Sequence, residues 1–189
     1  MKANMSGFDL RAIVGELSQY VGAYVKKSYM PHYEQIVLLI NPKEASQFDL
    51  VIVRGSRVYT SNRDRPMPQT PPPFAMVLRK YLKNARMTAV RQLGFDRVLA
   101  LDFDTKFGVM HLYVEVFREG NIILVDDEGI IIQPLTHAKY SGRVLKKGVQ
   151  YSPPPPANDP HDLDEAALSE IFAKSERDLV ATLGGKANL

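Results

Sequence analysis

The chain has no cysteine anywhere in its 189 residues. Disulfide frameworks, thiolate metal sites and cysteine nucleophiles are therefore excluded, and a reducing compartment is the natural expectation. Long apolar runs are missing too: the opening MKANMSGFDL holds no signal-type hydrophobic stretch, and no later segment approaches the roughly 18 apolar residues of a membrane span. A soluble, cytoplasmic protein with no membrane partner is expected. The four histidines, His32, His111, His137 and His161, stand singly and never at metal-ligand spacing with a carboxylate, so neither metal nor cofactor is expected. No Walker-type glycine loop, G-x-G-x-x-G or G-x-S-x-G occurs, which leaves nucleotide hydrolysis and serine-hydrolase chemistry without support. The pairs Asp102/Asp104 and Asp126/Asp127 read as solvated surface, the first alternating with apolar residues along a strand and the second preceding a turn.

What is present is positive charge, unevenly spread. The net charge of +3 divides into 21 Lys/Arg against 14 Asp/Glu over residues 1–157, and 3 against 7 over the remainder. A positive body with an acidic tail makes nucleic acid the first partner class to consider. Ten cations, Arg54, Arg57, Arg63, Arg65, Arg79, Lys80, Lys83, Arg86, Arg91 and Arg97, crowd one stretch that contains only Asp64 and Asp96 as counter-charges. They are the candidate phosphate contacts. Lys139, Arg143, Lys146 and Lys147 make a weaker second patch.

The pattern of apolar residues gives the architecture. Leu10, Ile13, Val14, Leu17, Tyr20 and Val21 recur at helical spacing and predict a helix over 6–21, with Ser6 as N-cap and Asp9 completing a capping box. From Ala23 to Pro134 the chain turns to short runs rich in Val, Ile, Tyr and Phe: 23–30, 34–40, 48–54, 56–60, 86–92, 96–104, 107–118, 121–126 and 130–133. The connections between them, such as Arg54-Gly55-Ser56-Arg57 and Gly94-Phe95, are too short for parallel crossovers and predict antiparallel pairing. One helix interrupts, over 74–83 after Pro71-Pro72-Pro73, with Phe74 and Tyr81 on its core side. Residues 135–150 have no clean period and read as a basic linker into the tetraproline 153–156. An acidic amphipathic helix is expected over about 162–182, burying Leu163, Ala166, Ala167, Ile171, Leu179 and Val180. The fold class is α+β: a domain over 1–157, then 158–189 as a proline-led appendage.

The most specific text is Pro71-Pro72-Pro73-Phe74-Ala75-Met76-Val77-Leu78-Arg79-Lys80-Tyr81-Leu82, followed by Arg91-Gln92-Leu93-Gly94-Phe95-Asp96-Arg97-Val98. With Asp9-Leu10, Glu115, Gly120-Asn121-Ile122-Ile123-Leu124-Val125-Asp126 and Gly148-x-x-Tyr151-x-Pro153-Pro154, it closely resembles the NFACT N-terminal domain. That family includes eukaryotic NEMF, bacterial RqcH and the proteins known as fibronectin-binding protein A. The resemblance implies an antiparallel β-sandwich like the N-terminal domain of formamidopyrimidine-DNA glycosylases, with flanking helices, leading toward a helix-hairpin-helix module. It further implies binding to tRNA and to the large ribosomal subunit holding stalled peptidyl-tRNA, so that untemplated residues, mainly alanine, are added to the trapped chain. Free-standing catalysis is not expected, since the ribosome can make the bonds.

The residues tied to tailing in the family are an early Asp and an Asp-Arg pair, matching Asp9, Asp96 and Arg97. Each has two readings. Asp9 either contacts RNA or caps its helix; Asp96 either orients its neighbour or closes the turn; Arg97 is either a fork for phosphate and base edges or an exposed strand cation. Two other functions compete. A glycosylase-like repair enzyme would need an N-terminal Pro-Glu, where this sequence reads Met1-Lys2-Ala3-Asn4, and a fibronectin-binding adhesin would need export and anchoring.

Overall fold

The computed structural model describes residues 4–118, 120–140, 142–156 and 163–176, together with 178 and 182. The expected acidic-helix positions Leu179 and Val180, and the expected domain boundary at 157/158, lie outside the described residues. The architecture is α+β and mostly antiparallel sheet. Helix α1 (Gly7–Ser18) is followed by β1 (Tyr24–His32), β2 (Gln35–Asn41), β3 (Phe48–Val53) and β4 (Arg57–Ser61). Helix α2 (Pro73–Leu82) precedes β5 (Arg86–Gln92), β6 (Val98–Thr105), β7 (Gly108–Glu115), β8 (Ile122–Asp126) and β9 (Ile131–Pro134). A small hairpin of β10 (Ala138–Tyr140) and β11 (Arg143–Leu145) and a helix α3 (Glu165–Ala173) complete it.

The nine long strands form one sheet in the order β4-β3-β2-β1-β5-β6-β7-β8-β9, every pairing antiparallel. The joint between its halves is narrow. β1 and β5 share one paired position, Tyr24 with Arg86, reinforced by backbone bonds from Val25 N–H to the Ala85 carbonyl (2.9 Å) and from Met87 N–H to that of Ala23 (2.8 Å). Alternate side chains from both sides of this joint, Ile36, Leu38, Leu50 and Ile52 from one half and Leu99, Leu101, Leu112 and Val114 from the other, enter the same buried cluster. Period-two burial thus gives the two halves a common core. Leu10 and Leu17 of α1, and Phe74, Leu78 and Leu82 of α2, join that core at helical spacing.

Three expectations are corrected. Residues 135–150 are no linker: they hold the β10–β11 hairpin, and Leu145 is fully buried beside Ile123, Val125 and Ile131. Strands of three residues carry no readable period, which is why the sequence hides them. The acidic stretch is not one continuous helix: α3 covers Glu165–Ala173, capped by Asp164, whose side chain accepts from Ala167 N–H, and none of its residues is buried; of the described residues after it only Thr182 is helical. Asp102 is not solvated. β6 is covered on both faces, so Asp102 is 9% exposed and survives there by pairing. Arg91 donates to it at 2.7–3.0 Å and His111 Nδ1 lies at 2.7 Å.

Candidate nucleic-acid interface

Four chain segments converge at one end of the sheet. The first is the start of α1. Ser6 caps the helix and forms the full capping box, its N–H and hydroxyl donating to the Asp9 carboxylate at 2.6 and 2.8 Å while its oxygen accepts from Asp9 N–H at 3.3 Å. Asp9 is therefore structurally engaged, and its carboxylate lies at the positive end of the helix dipole. Gly7 permits close contact with the second segment, the β5–β6 turn: a Cβ there would lie 2.7 Å from the Phe95 carbonyl oxygen. The Gln92 amide ties the two segments together by donating to the carbonyls of Gly7 (3.0 Å) and Asp96 (2.8 Å). Phe8 and Phe95 meet edge to face at 4.7 Å, with the Arg11 guanidinium 5.7 Å from the Phe95 ring centre.

Within the turn, the Asp96 carboxylate accepts from Arg97 N–H at 2.6 Å, and the Arg97 carbonyl accepts from Val116 N–H at 2.9 Å. The backbone of Arg97 is thus fixed. Its guanidinium has no hydrogen bond or ion pair among the described residues. The third segment is the β3–β4 turn, joined to the chain before α1 by a 3.1 Å bond from Met5 N–H to the Ser56 carbonyl. Here Gly55, at φ +66°, lets the backbone approach the fourth segment, since a Cβ would stand 2.9 Å from the Phe117 carbonyl oxygen. Arg54 in this turn bonds Glu34 and the Thr136 hydroxyl, both at 3.0 Å, and Arg57 donates to Ser56 Oγ at 3.4 Å.

Asp9, Asp96 and Arg97 therefore come to one end of the molecule, with Arg54 and Arg57 beside them, although they span 88 positions in sequence. The rest of the ten-cation run is dispersed. Arg63 and Arg65 lie in the loop after β4, Arg65 making an ion pair with Asp49 at 3.3 Å. Arg79 donates to the Ser28 carbonyl at 2.7 Å and lies 5.4 Å from the Tyr29 ring, while Lys80 and Lys83 are exposed around the end of α2. Arg86 starts β5 and Arg91 is committed to Asp102. Phe74 is buried and Tyr81 packs against the core, as their spacing predicts. Sequence reasoning missed Phe8, which is 61% exposed. Its signal was an aromatic residue directly before Asp9, on the face of α1 opposite Leu10 and Leu17.

The other text singled out in the sequence assembles a second, buried cluster. Glu115 is fully buried and receives both ends of the Arg143 guanidinium at 2.8 and 2.7 Å, plus the Tyr151 hydroxyl at 3.3 Å. Burial pushes the Glu115 carboxyl above the usual carboxylate range, and the Arg143 pair draws it part of the way back. Burial likewise raises the Tyr151 phenol, helped by the neighbouring Glu115 charge, so it keeps its proton and acts as a donor. Asn121 accepts from the N–H groups of Ile122 and Thr136 and donates to the Thr136 carbonyl at 2.6 Å. Tyr151 stacks on Tyr113 with ring centres 4.2 Å apart. The role of Arg143, hidden in a stretch read as a basic patch, emerges only when the hairpin brings it 28 residues back to Glu115.

Among the described residues no group of three or more His, Asp or Glu side chains is placed to hold a metal ion. No helix among the described residues is long and apolar enough to cross a membrane. The protein is thus an α+β domain with one charged, turn-built end and a small hairpin pinned to β7 and β8 through Arg143 and Leu145. A family model, NFACT N-terminal and middle domains, matches residues 6–186, and the chain belongs to that family.

Among its relatives is the archaeal Rqc2 homolog aRqcH of Methanocaldococcus jannaschii, 36% identical over 179 residues, which are 91% of this chain and 26% of the relative. The ribosome quality control complex subunit NEMF of Homo sapiens is 32% identical over 94% of the chain and 16% of its own length. The Rqc2 homolog RqcH of Streptococcus suis is 31% identical, covering 92% and 34%. The chain therefore spans about a sixth to a third of these relatives. In structure it is similar to the N-terminal part of the fibronectin/fibrinogen-binding protein of Streptococcus suis, with TM-score 0.79 and 30% identity over 92% of this chain and 70% of that one. The N-terminal domain of fibronectin-binding protein PavA of Streptococcus pneumoniae gives 0.78 and 28% over 90% and 69%.

Proposed function

We propose that this chain is the tRNA-positioning module of a cytoplasmic ribosome quality-control factor, and that Asp9, Asp96 and Arg97 form the contact that sets the register of the tRNA. The observation that carries the reading is the Arg97 guanidinium, held on a fixed backbone without a protein partner at the end where α1 and three turns converge. Arginine offers five donors in a planar fork, suited to phosphate or to a guanine edge, while carboxylates accept from base amines and ribose hydroxyls. Phe8 adds an exposed ring on which a base can stack, and Arg11, Arg54 and Arg57 supply phosphate attraction. The naming of relatives as ribosome quality control complex subunits supports the quality-control part of this reading.

In this reading the factor recognises a large ribosomal subunit that still holds peptidyl-tRNA, and recruits tRNA for untemplated alanine tailing. The module contributes orientation, and bond making belongs to the ribosome. In this reading the antiparallel sheet is similar to the N-terminal domain of formamidopyrimidine-DNA glycosylases, a scaffold for nucleic acid. The test replaces Asp96 and Arg97 together by alanine. Large-subunit co-sedimentation of the protein carrying this chain should largely persist, while tails on a stalled reporter should disappear. Normal tails from a folded double variant would overturn the assignment, and a strand break in abasic DNA made by the wild type would restore the repair reading.

A further inference from the structure

The end of β6 opposite Asp96 and Arg97 carries its own exposed cluster, which the tRNA reading does not use. At the β6–β7 turn the Thr105 hydroxyl donates to the Gly108 carbonyl at 2.8 Å and accepts from Phe107 N–H at 3.0 Å. The turn is therefore pinned, and it presents Phe107 at 45% exposure with Val109 beside it at 41%. Phe107 leans on Tyr81 near the end of α2, ring centres 5.1 Å apart. Lys106 Nζ lies 5.0 Å from the Phe107 ring and Lys80 Nζ 5.0 Å from the Tyr81 ring. Lys83 follows, exposed, one residue past the helix. None of these three lysines is ion-paired among the described residues, although the exposed carboxylates of Asp104 and Asp127 border the turn.

We propose that Phe107, backed by Tyr81 and ringed by Lys80, Lys83 and Lys106, is a second RNA-binding surface, which takes a single-stranded or looped RNA segment. A ring that is both rigidly held and half exposed gives a base a stacking face at little entropic cost, and the three cations stand where flanking phosphates would lie. A duplex offers no accessible base face, so single strands are favoured. β6, of eight residues, separates the two ends by about 25 Å at roughly 3.3 Å per residue. One domain can thus hold two RNA elements at once, a tRNA at one end and a second RNA at the other. The inference rests on the cluster alone and goes beyond the tRNA reading.

The test uses the 189-residue chain with two probes: tRNA, and a fluorescent single-stranded RNA of about 12 nucleotides, within the roughly 4–16 nucleotides that one such surface covers. The double variant K80E/K106E and, separately, Phe107→Ala are compared with the wild type by anisotropy and by capture of the oligonucleotide on immobilised tRNA. Each should weaken oligonucleotide binding at least about tenfold, the size of loss expected for a base–aromatic stack or several phosphate contacts. tRNA affinity should hold within about a factor of three, and Arg97→Ala should give the converse pattern. The wild type should bind the oligonucleotide more tightly than a duplex of the same length. Thermal melts report folding, and the two lysine substitutions keep the test valid if Phe107→Ala unfolds the turn. Unchanged oligonucleotide binding in both variants overturns the proposal. So does a parallel loss of both ligands, or tighter binding of an acidic peptide at this end. Wild-type failure to bind tRNA would count against the tRNA reading only, because oligonucleotide binding is measured directly.

Discussion

Two charged clusters of this domain contain much the same chemistry and are built in opposite ways. In the Glu115–Arg143–Tyr151 cluster the carboxylate is fully buried and the guanidinium side chain 7% exposed, and each charge faces its partner at hydrogen-bond distance. In the cluster of Asp9, Asp96 and Arg97 the carboxylates hold backbone groups and the guanidinium has no hydrogen-bond or ion-pair partner among the described residues. The first arrangement fastens the β10–β11 hairpin and the approach to the tetraproline onto the sheet. The second leaves a directional donor free. Family text alone does not separate these roles, since Glu115 and Tyr151 of the first cluster and all three residues of the second come from the same singled-out motifs. Burial and pairing do.

The comparison breaks most visibly at Arg143. Arg143→Ala leaves the Glu115 carboxylate buried without a counter-charge, and it should cost about 3–5 kcal/mol of stability. Urea unfolding should show this as a lower midpoint, while tRNA affinity measured below the unfolding range stays near wild type. A large binding loss without destabilisation would assign the cluster a direct role in recognition.

Asp9 sits on the border between the two roles, because it caps α1 and also belongs to the exposed end. Asp9→Ala should cost about 0.5–2 kcal/mol through loss of the capping box. Asp9→Asn keeps an acceptor for the Ser6 N–H and removes the charge, so it should restore most of that stability. If Asp9→Asn also restores full tRNA binding, the carboxylate acts on structure alone.

A smaller effect is expected at Tyr151. Its phenol is raised above the ordinary value of about 10, so it remains protonated in the folded chain while it ionises in the unfolded one. The unfolded state then binds fewer protons than the folded state, and stability falls as pH rises above about 10. Tyr151→Phe should cost roughly 1 kcal/mol at neutral pH, from the loss of one long hydrogen bond of 3.3 Å, and should flatten the alkaline decline. Equilibrium unfolding at a series of alkaline pH values reads both effects.

Much of this was legible in the sequence. The nine strands of the sheet and the helices α1 and α2 follow from alternation and helical spacing, and the Ser6–Asp9 box follows from a short piece of local text. What stayed hidden depended on tertiary neighbours. The β10–β11 hairpin has strands too short for a period, and its stability comes from Leu145 and Arg143 reaching β8 and β7. Asp102 alternates with apolar residues as a surface position does, yet β6 is covered on both faces. The ten-cation run looked like one patch because sequence order says nothing about which turns share an end. Only Arg54, Arg57 and Arg97 of that run lie at the converging turns.

The central claim is that Arg97 acts by position and not only by charge. Arg63 is the matched control, an exposed cation of the loop after β4, away from the converging turns. Arg97→Ala and Arg63→Ala should each change stability by under about 0.5 kcal/mol. The decisive measurement is the tRNA affinity of both variants across a salt series. Arg97→Ala should weaken binding at least about tenfold, equivalent to about 1.4 kcal/mol, at every salt concentration, while Arg63→Ala should change it by about a factor of two at most. Equal, small losses that vanish together at high salt would contradict the account, and would reduce Arg97 to one more surface cation.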